Sequence, residues 1–284
     1  MSGAGGLRRE RAFAKVNLVL HVGPRRHDGL HELCSLLASI ELADELRISP
    51  AAGGRDAVRC PGVEGENLVA RALAAFRERT GARLGPLDVE VDKRIPVAAG
   101  LGGGSADAAA ALRAANELAG GPLDVDGLRA VGAEVGADVA GQIAPGPALV
   151  GGAGERVEAV SLPAMWLVLV PSPRGLSTAR VYAELDRLGG ARRGLDPESL
   201  RALAGTPLPA LAAAVENDLQ RAALSLRPEL EAGLRALRGA GALAAALSGS
   251  GPTAFGLFPH GDAARRAASS IPGALAVATR PGRP

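Results

Sequence analysis

The segment that decides the interpretation of this chain is Pro96-Val-Ala-Ala-Gly-Leu-Gly-Gly-Gly-Ser-Ala-Asp107, followed by alanine-rich sequence as far as Leu118. Glycines let a backbone approach a phosphate group closely, and the N-terminus of a following helix directs N–H groups at an anion. Ser105 is a typical helix N-cap whose hydroxyl is also able to contact phosphate or Mg²⁺. The segment predicts a polyphosphate-binding loop, with a flexible glycine hinge before an ordinary helix as the alternative.

Other glycine motifs do not match this segment. A Walker A loop ends in Gly-Lys-Ser/Thr, whereas Gly104 precedes Ser105, and a dinucleotide fingerprint needs glycine in place of Ser105. The sequence also lacks the His-Arg-Asp and Asp-Phe-Gly signatures of protein kinases and the Gly-x-Ser-x-Gly elbow of serine hydrolases. The loop therefore indicates ATP binding, but it does not identify the acceptor.

Composition excludes several classes of protein. The chain has 284 residues, of which 47% are hydrophobic and 2% aromatic, and its formal net charge of +2 predicts neither nucleic acid nor an anionic membrane as a partner. No stretch approaches the ~18 apolar residues of a membrane span, and no apolar region follows the N-terminal arginines as in a signal peptide. Cys34 and Cys60 fit no zinc or redox spacing. These features predict a soluble, cytoplasmic protein.

The basic residues are unevenly divided. Among 32 lysines and arginines, only Lys15 and Lys93 are lysines. A lysine retained against an arginine-rich background indicates a place where a compact ammonium is needed rather than a forked guanidinium, although chance alone is the alternative. Both lysines are candidate functional residues.

The pattern of apolar residues predicts an α+β chain rather than strict strand–helix alternation. Asn67 precedes an amphipathic helix, Asp124 and Asp126 stand at the start of another, where acidic residues suit the helix dipole, and Asp196 is a candidate N-cap. Gly151 to Pro163 is a candidate boundary between domains 1–160 and 161–284. The predicted strands are 12–22, 87–91, 148–150, 157–160, 166–170, 244–247, 254–258 and 274–278, and an apolar segment, 33–40, leads into 41–48. The predicted helices are those after Asn67, 106–118, 124–135, the one from Asp196, and 228–237.

Three glycine and lysine motifs together resemble the GHMP kinases. The segment from Pro96 to Ser105 is similar to the second motif of that superfamily, Ala14-Lys-Val-Asn-Leu18 to the first, and Leu247-Ser-Gly-Ser-Gly-Pro252 to the third. The resemblance covers about residues 13–258. It implies a two-domain fold, with an N-terminal domain like ribosomal protein S5 domain 2 and a ferredoxin-like C-terminal domain.

Further blocks resemble one branch of this superfamily. They are Arg26-His-Asp-Gly-Leu-His-Glu32, Glu66-Asn-Leu68, Asp92-Lys-Arg94, Gly136-Ala-Asp-Val139 and Glu216-Asn-Asp-Leu219. The branch transfers a phosphoryl group from ATP to the 2-hydroxyl of diphosphocytidyl-methylerythritol in the non-mevalonate isoprenoid pathway. The alternatives are a homoserine- or mevalonate-type kinase, which the Asp28-Gly-Leu-His31 sequence disfavours, and a catalytically inactive GHMP-fold binding protein.

The resemblance implies a role for each matching residue. Asp138 is the expected base and Lys15 its catalytic partner; Ser105 is the candidate Mg²⁺ ligand. The expected ATP-binding residues are Asn67, Lys93, Pro96, Val97, Ala98, Ala99, Gly100, Leu101, Gly102, Gly103, Gly104, Ser105 and Ala106. The expected substrate-binding residues are Asn17, Leu30, His31, Thr178, Tyr182, Ser248, Gly249, Ser250 and Gly251.

The sequence departs from the family pattern in three places. Leu30 stands where an aromatic ring is usual beside the pyrimidine-binding His31. Asp107 places a carboxylate near the phosphate loop, where we expect it in the first helical turn, favouring the helix dipole or assisting Mg²⁺. After Asp138 the usual proline and aromatic residues are missing. The other histidines, His21, His27 and His260, are predicted to be surface or turn residues.

Overall fold

The computed structural model describes residues 7–63 and 67–282, which form two compact units. The first contains the described residues up to Ala14, with Leu42–Val97 and Gly102–Ala144. The second contains Lys15–Glu41, Ala98–Leu101 and the described residues from Pro145 onward. The long strands β1 (Arg8–Arg25) and β2 (His31–Pro50) have residues in both units. Division of the chain at residue 160 stays a prediction, and Glu66 lies outside the described residues.

The first unit packs helices on a small sheet. Its further elements are β3 (Ala57–Arg59), α1 (Leu68–Thr80), β4 (Leu87–Asp92), α2 (Gly103–Leu118), α3 (Val125–Val135) and α4 (Val139–Gln142). β4 lies antiparallel to the end of β2 and parallel to β3. Alternate residues of β4, Val89 and Val91, are buried against Phe76 of α1 and Leu112 of α2. Alanines fill most of the buried face of α2, which allows α1 and α2 to pack closely.

Side-chain caps start two helices of this unit. The Asn67 side chain accepts from the Val69 amide, and the Asp124 side chain accepts from the Gly127 amide, at 2.8 Å in both cases. Gly81 ends α1 in the left-handed conformation, with φ of 60°.

The second unit contains the remaining strands and helices. Its strands, besides parts of β1 and β2, are β5 (Ala148–Gly152), β6 (Arg156–Ala159), β7 (Trp166–Val170), β8 (Glu216–Asn217), β9 (Ala244–Leu247), β10 (Ala254–Phe258) and β11 (Leu275–Ala278). Its helices are α5 (Thr178–Arg187), α6 (Pro197–Ala204), α7 (Leu208–Ala213), α8 (Gln220–Leu226), α9 (Glu231–Gly239) and α10 (Gly261–Ser270). A 3₁₀ turn, Pro228–Leu230, precedes α9.

Two groups of strands organise this unit. β7, β9, β10 and β11 form an antiparallel sheet in the order β11-β7-β10-β9. β5 pairs with the start of β2, while the short β8 lies parallel to β1 at Val19 and Leu20. The core beneath the four-stranded sheet includes Val168, Leu234 and Phe258, because these side chains come from the apolar faces of β7, α9 and β10.

The prediction of an α+β chain is confirmed, and three local predictions are wrong. Helix α2 begins at Gly103 with Gly102 at the N-cap position, so Ser105 is not the cap. Asp107 consequently lies beyond the first turn. His21 is not a surface residue: it is 8% exposed and its Nε2 lies 2.5 Å from Glu216 Oε1, because β8 covers this part of β1.

Within residues 7–63 and 67–282, none of the helices has the length and apolar character needed to cross a lipid bilayer.

Candidate active site

The glycine loop has an unusual backbone conformation. Ala98, Gly100 and Gly102 have φ of 53°, 77° and 69°, in the left-handed region that favours glycine. Gly102 precedes α2 without a side-chain cap, so the first N–H groups of this helix are not satisfied by a capping side chain. In the first unit the Gln142 amide donates to the Gly102 carbonyl oxygen at 2.9 Å and holds the start of the helix.

The side chains of the loop differ in exposure. Ala99, Leu101 and Ala106 are at most 3% exposed, so their side chains belong to the core, whereas Val97 is 56% exposed. The carbonyl oxygens of Ala99 and Leu101 accept from the amides of Thr253 and Lys15. The remaining predicted loop residues, Pro96, Ala98, Gly103, Gly104 and Ser105, are partly or fully accessible.

Within the second unit, the third glycine motif contacts Gly100. The Ser248 hydroxyl donates to the Gly100 carbonyl oxygen at 2.9 Å. A Cβ at Gly100 would lie 2.4 Å from the Ser248 carbonyl oxygen and 2.6 Å from that of Gly251. Only glycine fits here, because both obstacles are backbone atoms.

Asn217 hydrogen-bonds the backbone of the third glycine motif. It was not among the predicted site residues. Its side-chain amide donates to the carbonyl oxygens of Leu247 and Gly249, at 2.8 and 2.7 Å. The sequence signal for it was the Glu216–Leu219 block. That block indicated family membership, but it did not indicate that Asn217 hydrogen-bonds the third glycine motif.

Lys15 and Asn17 form a buried polar pair on β1. Lys15 is 4% and Asn17 6% exposed, and Lys15 Nζ donates to Asn17 Oδ1 at 2.6 Å. They share one face of the strand, as two-residue alternation predicts. Asn17 Nδ2 donates to the Ser35 hydroxyl at 2.8 Å, which fixes the amide orientation. A Cβ at Gly249 would lie 3.3 Å from both Lys15 Nζ and Asn17 Oδ1, so the third motif lies directly against the pair.

The second lysine is held between two carboxylates in the first unit. Lys93 Nζ lies 2.5 Å from Asp44 Oδ2 and 2.8 Å from Asp107 Oδ2. Asp44 is fully buried, and its other oxygen accepts from the amides of Arg94 and Ile95. Asp44 was missed from sequence because a lone aspartate within a strand carries no motif.

The two carboxylates around Lys93 are not equivalent. Asp107 is 4% exposed, and its Oδ1 has no hydrogen-bond partner among residues 7–63 and 67–282. Burial raises the pKa of Asp107 to about 7, although the neighbouring Lys93 opposes this rise. Asp44, with its backbone donors, competes for the same ammonium, so Lys93 offsets the effect of burial on Asp107 only in part. Burial alone would lower the pKa of Lys93, but the two carboxylates outweigh it and raise that pKa.

Several residues predicted to bind the substrate are brought together in the second unit. His31 is 7% exposed, and its ring lies 5.2 Å from that of Tyr182, with 32° between the planes. The Thr178 and Ser250 hydroxyls are 2.9 Å apart, which joins α5 to the third motif. Leu30, in contrast, is 51% exposed.

Asp138 is an exposed residue of the first unit. It stands at the N-cap position of the short helix α4, where its side chain makes no capping hydrogen bond. A purely structural capping role, which is the ordinary explanation for such an aspartate, does not account for it. Asn67 does act as a cap, through the bond to Val69 described above.

The residues present fit a Mg²⁺ ion bound mainly through a nucleotide. Among the described residues, no group of three or more His, Cys, Asp or Glu side chains is placed to hold a metal. Mg²⁺ in kinases is commonly held by one or two protein groups together with phosphate oxygens and water. Ser105 and Asp107 are two positions apart on α2 and do not face each other. Asp107 binds Lys93, which leaves Ser105 as the candidate ligand.

Two protein-family models and several individual proteins match the sequence of this chain. The model of the GHMP kinases N terminal domain matches residues 67–152, and that of the GHMP kinases C terminal domain matches residues 199–276. The chain is 45% identical over 275 residues to a 4-diphosphocytidyl-2-C-methyl-D-erythritol kinase of Nocardia farcinica, covering 93% of this chain and 89% of that protein. It is 40% identical over 265 residues to the protein of the same name from Syntrophotalea carbinolica, covering 92% of each.

Solved structures agree with these sequence comparisons. A crystal structure of a 4-(cytidine 5'-diphospho)-2C-methyl-D-erythritol kinase has a TM-score of 0.79 and 35% identity, covering 97% of this chain and 100% of its own. A homoserine kinase from Cytophaga hutchinsonii has a TM-score of 0.71 and 19% identity, covering 99% of this chain and 97% of its own, which shows only a shared fold.

Proposed function

The chain belongs to the 4-diphosphocytidyl-2-C-methyl-D-erythritol kinase family of GHMP kinases, and on that premise we propose that it phosphorylates this cytidine-linked alcohol. The proposed reaction transfers the γ-phosphoryl group of ATP to the 2-hydroxyl group and releases ADP. The observation that carries the proposal is the cluster of Lys15, Asn17, Ser248 and Gly100, since it joins parts of all three superfamily motifs.

The proposed chemistry assigns proton transfer to Asp138 and charge stabilisation to Lys15. An ionised carboxylate can act as a general base. It is then able to accept the proton of the attacking hydroxyl, a contribution of ~10²–10⁴ in rate. The Lys15 ammonium would stabilise the attacking oxygen and the transferring phosphoryl group. Its bond to Asn17 keeps it extended along one face of β1.

The proposed ATP site uses the glycine loop with Asn67 and Lys93. The uncapped start of α2 offers N–H groups to phosphate oxygens, and Lys93 adds positive charge while held by Asp44 and Asp107. Bound Mg²⁺, with Ser105 as its proposed protein ligand, would neutralise phosphate charge. The side chains of Ala99, Leu101 and Ala106 are buried, so these residues would contact the nucleotide through their backbone.

The proposed cytidine site uses His31 to hold the pyrimidine and Tyr182 to stack on it. Leu30 would cover the other face of the base with an aliphatic side chain, and Thr178 with the third motif would line the path to the reacting alcohol. We also propose a cytoplasmic location, as the composition predicts, with small molecules rather than nucleic acid or membrane as partners.

One assay tests the function directly. Mg²⁺-dependent ADP release is measured with 4-diphosphocytidyl-2-C-methyl-D-erythritol, homoserine, mevalonate and galactose as acceptors. We expect turnover with the first alone. Equal or greater turnover of another alcohol would move the chain to that branch of the GHMP kinases. Nucleotide binding without turnover of any acceptor would support the inactive binding protein.

A further inference from the structure

Asp186 is a carboxylate next to the proposed pyrimidine site to which neither the motifs nor the proposed function gives a role. It lies on α5 four residues after Tyr182, so both side chains are on the same face of the helix. Its Oδ1 is 2.8 Å from His31 Nε2. The same helix face therefore supplies both the ring and the carboxylate that contact His31.

The contact determines which ring nitrogen of His31 carries a proton. A carboxylate oxygen accepts a hydrogen bond, so Nε2 is the donor. A histidine whose Nε2–H is bound to a carboxylate has a fixed tautomer and a fixed ring plane. The contact with Asp186 restrains the imidazole along its edge. The Tyr182 ring, whose centroid lies 5.2 Å from that of His31, restrains it across its face.

Helix α5 is itself firmly held within its unit. Val181 and Leu185, on its inner face, are at most 2% exposed. The Ser225 hydroxyl of α8 donates to Glu184, and Thr178 at the helix start bonds Ser250 of the third motif. A carboxylate on such a helix can set the orientation of a partner side chain, whereas one on a mobile loop cannot.

We propose that Asp186 is a positioning residue, which orients His31 and fixes its tautomer for recognition of the pyrimidine ring. The inference rests on the proposed function for its substrate. Asp186 acts through His31 and makes no contact with the reacting hydroxyl. Loss of Asp186 should therefore weaken cytidine binding and leave the phosphoryl transfer step intact.

The first test separates KM from kcat. In Asp186→Ala we expect KM for the cytidine substrate to rise about tenfold, the effect of one charge-assisted hydrogen bond at the lower end of its range. We expect kcat and KM for ATP to stay within about twofold. Asp186→Asn keeps an oxygen that accepts from Nε2 and should recover most of the loss. Asp262→Ala removes an exposed helical carboxylate paired with Arg265 and is the matched control.

A double-mutant cycle with His31→Ala tests whether Asp186 acts through the imidazole. In that background Asp186→Ala should cause no further rise in KM. An unchanged KM in the single variant, or an equal rise with and without His31, would overturn the proposal.

Two measurements without turnover distinguish this proposal from the proposed function. The ¹⁵N chemical shifts of the His31 ring at pH 8 should show a protonated Nε2 in the wild type and mixed tautomers in Asp186→Ala. Titration with cytidine diphosphate should show about tenfold weaker binding in the variant. If the wild type turns over no acceptor but shows both effects, the positioning role stands and the kinase assignment fails. Equal binding in the two proteins, or no binding to either, contradicts the positioning role.

Discussion

The Ser248 hydroxyl donates to the carbonyl oxygen of Gly100 across 2.9 Å, although the two residues are 148 positions apart in the chain. This bond joins the second and third glycine motifs. Gly100 has φ of 77°. A Cβ at this position would lie less than 3 Å from two backbone carbonyl oxygens of the third motif. The two motifs therefore constrain each other sterically, and neither can be understood as an isolated loop.

Gly100→Ala should disrupt this contact. The left-handed conformation alone costs about 1–2 kcal/mol for a residue with a Cβ, and the clash with Ser248 and Gly251 adds to it. We expect a loss of at least about 3 kcal/mol in the free energy of unfolding, measured by urea denaturation, with ATP binding weakened at least about tenfold. The matched control is Gly273→Ala, because Gly273 has φ of 72° and a Cβ there would meet no atom within 4 Å. Similar losses in both variants would mean that backbone strain, not the contact between motifs, is decisive.

Asp138→Asn should remove most of the turnover while preserving nucleotide binding. The amide has nearly the same shape but cannot accept the hydroxyl proton, so kcat should fall by ~10²–10⁴. Because asparagine and aspartate are about equally favourable at the N-cap position that Asp138 occupies, we expect the melting temperature to change little. Steady-state kinetics with an ATP-binding titration checks both parts, and an unchanged kcat would remove Asp138 as the base.

Lys15→Arg should be strongly deleterious despite keeping the charge. The ammonium lies 2.6 Å from Asn17 Oδ1, and the Gly249 backbone is close by. A planar guanidinium is larger and has no room at this buried position. We expect kcat to fall by about 10²–10³, as when another preorganised charge-stabilising group is lost. A variant with nearly normal kcat would show that the charge alone is required.

Asp107→Asn should change how stability depends on pH. Burial raises the pKa of Asp107 to about 7. Its contribution to the free energy of unfolding is therefore fully present below the unfolded pKa of about 4, and it is lost as the pH rises through about 7. The free energy of unfolding of the variant relative to wild type should therefore rise between pH 5 and pH 8, on the order of 1 kcal/mol. Urea denaturation without ATP or added metal measures it.

The control for this pH effect is Asp262→Asn. The pKa of the exposed Asp262 is lowered, chiefly by its hydrogen bond with Arg265, so both folded and unfolded carboxyls are ionised from pH 5 to pH 8. Its free energy difference from wild type should be constant over that range. A constant difference for Asp107→Asn as well would show that Asp107 titrates normally.

Leu30→Tyr tests the departure from the family pattern beside His31. Leu30 is 51% exposed, so a larger ring can be accommodated without overpacking the core. A stacked ring is worth about 0.5–1.5 kcal/mol beyond its apolar area, and we therefore expect KM for the cytidine substrate to fall several-fold with kcat unchanged. A higher KM would show that the pocket is adapted to leucine.

Sequence patterns were reliable where local chemistry decides the structure. Asp196 caps a helix as predicted, and Asn67 and Asp124 cap helices that the sequence predicted to start beside them, because an N-cap bond needs only residues two or three positions away. The prediction that Ser105 is an N-cap was wrong, and the cause is again local to the start of the helix. The left-handed Gly102 can start a helix without a capping side chain, so the helix begins two residues before the serine.

The sequence by itself determined the α+β class and the family, since these depend on order and spacing along the chain, and it predicted the phosphate loop. Only the tertiary structure decided that Ser248 bonds Gly100, that Asp44 and Asp107 share Lys93, and that Asp186 contacts His31. In each of these contacts the two residues are between 14 and 155 positions apart in the sequence. Such pairings depend on strand register and helix packing, so neither partner carries a local signal of the other.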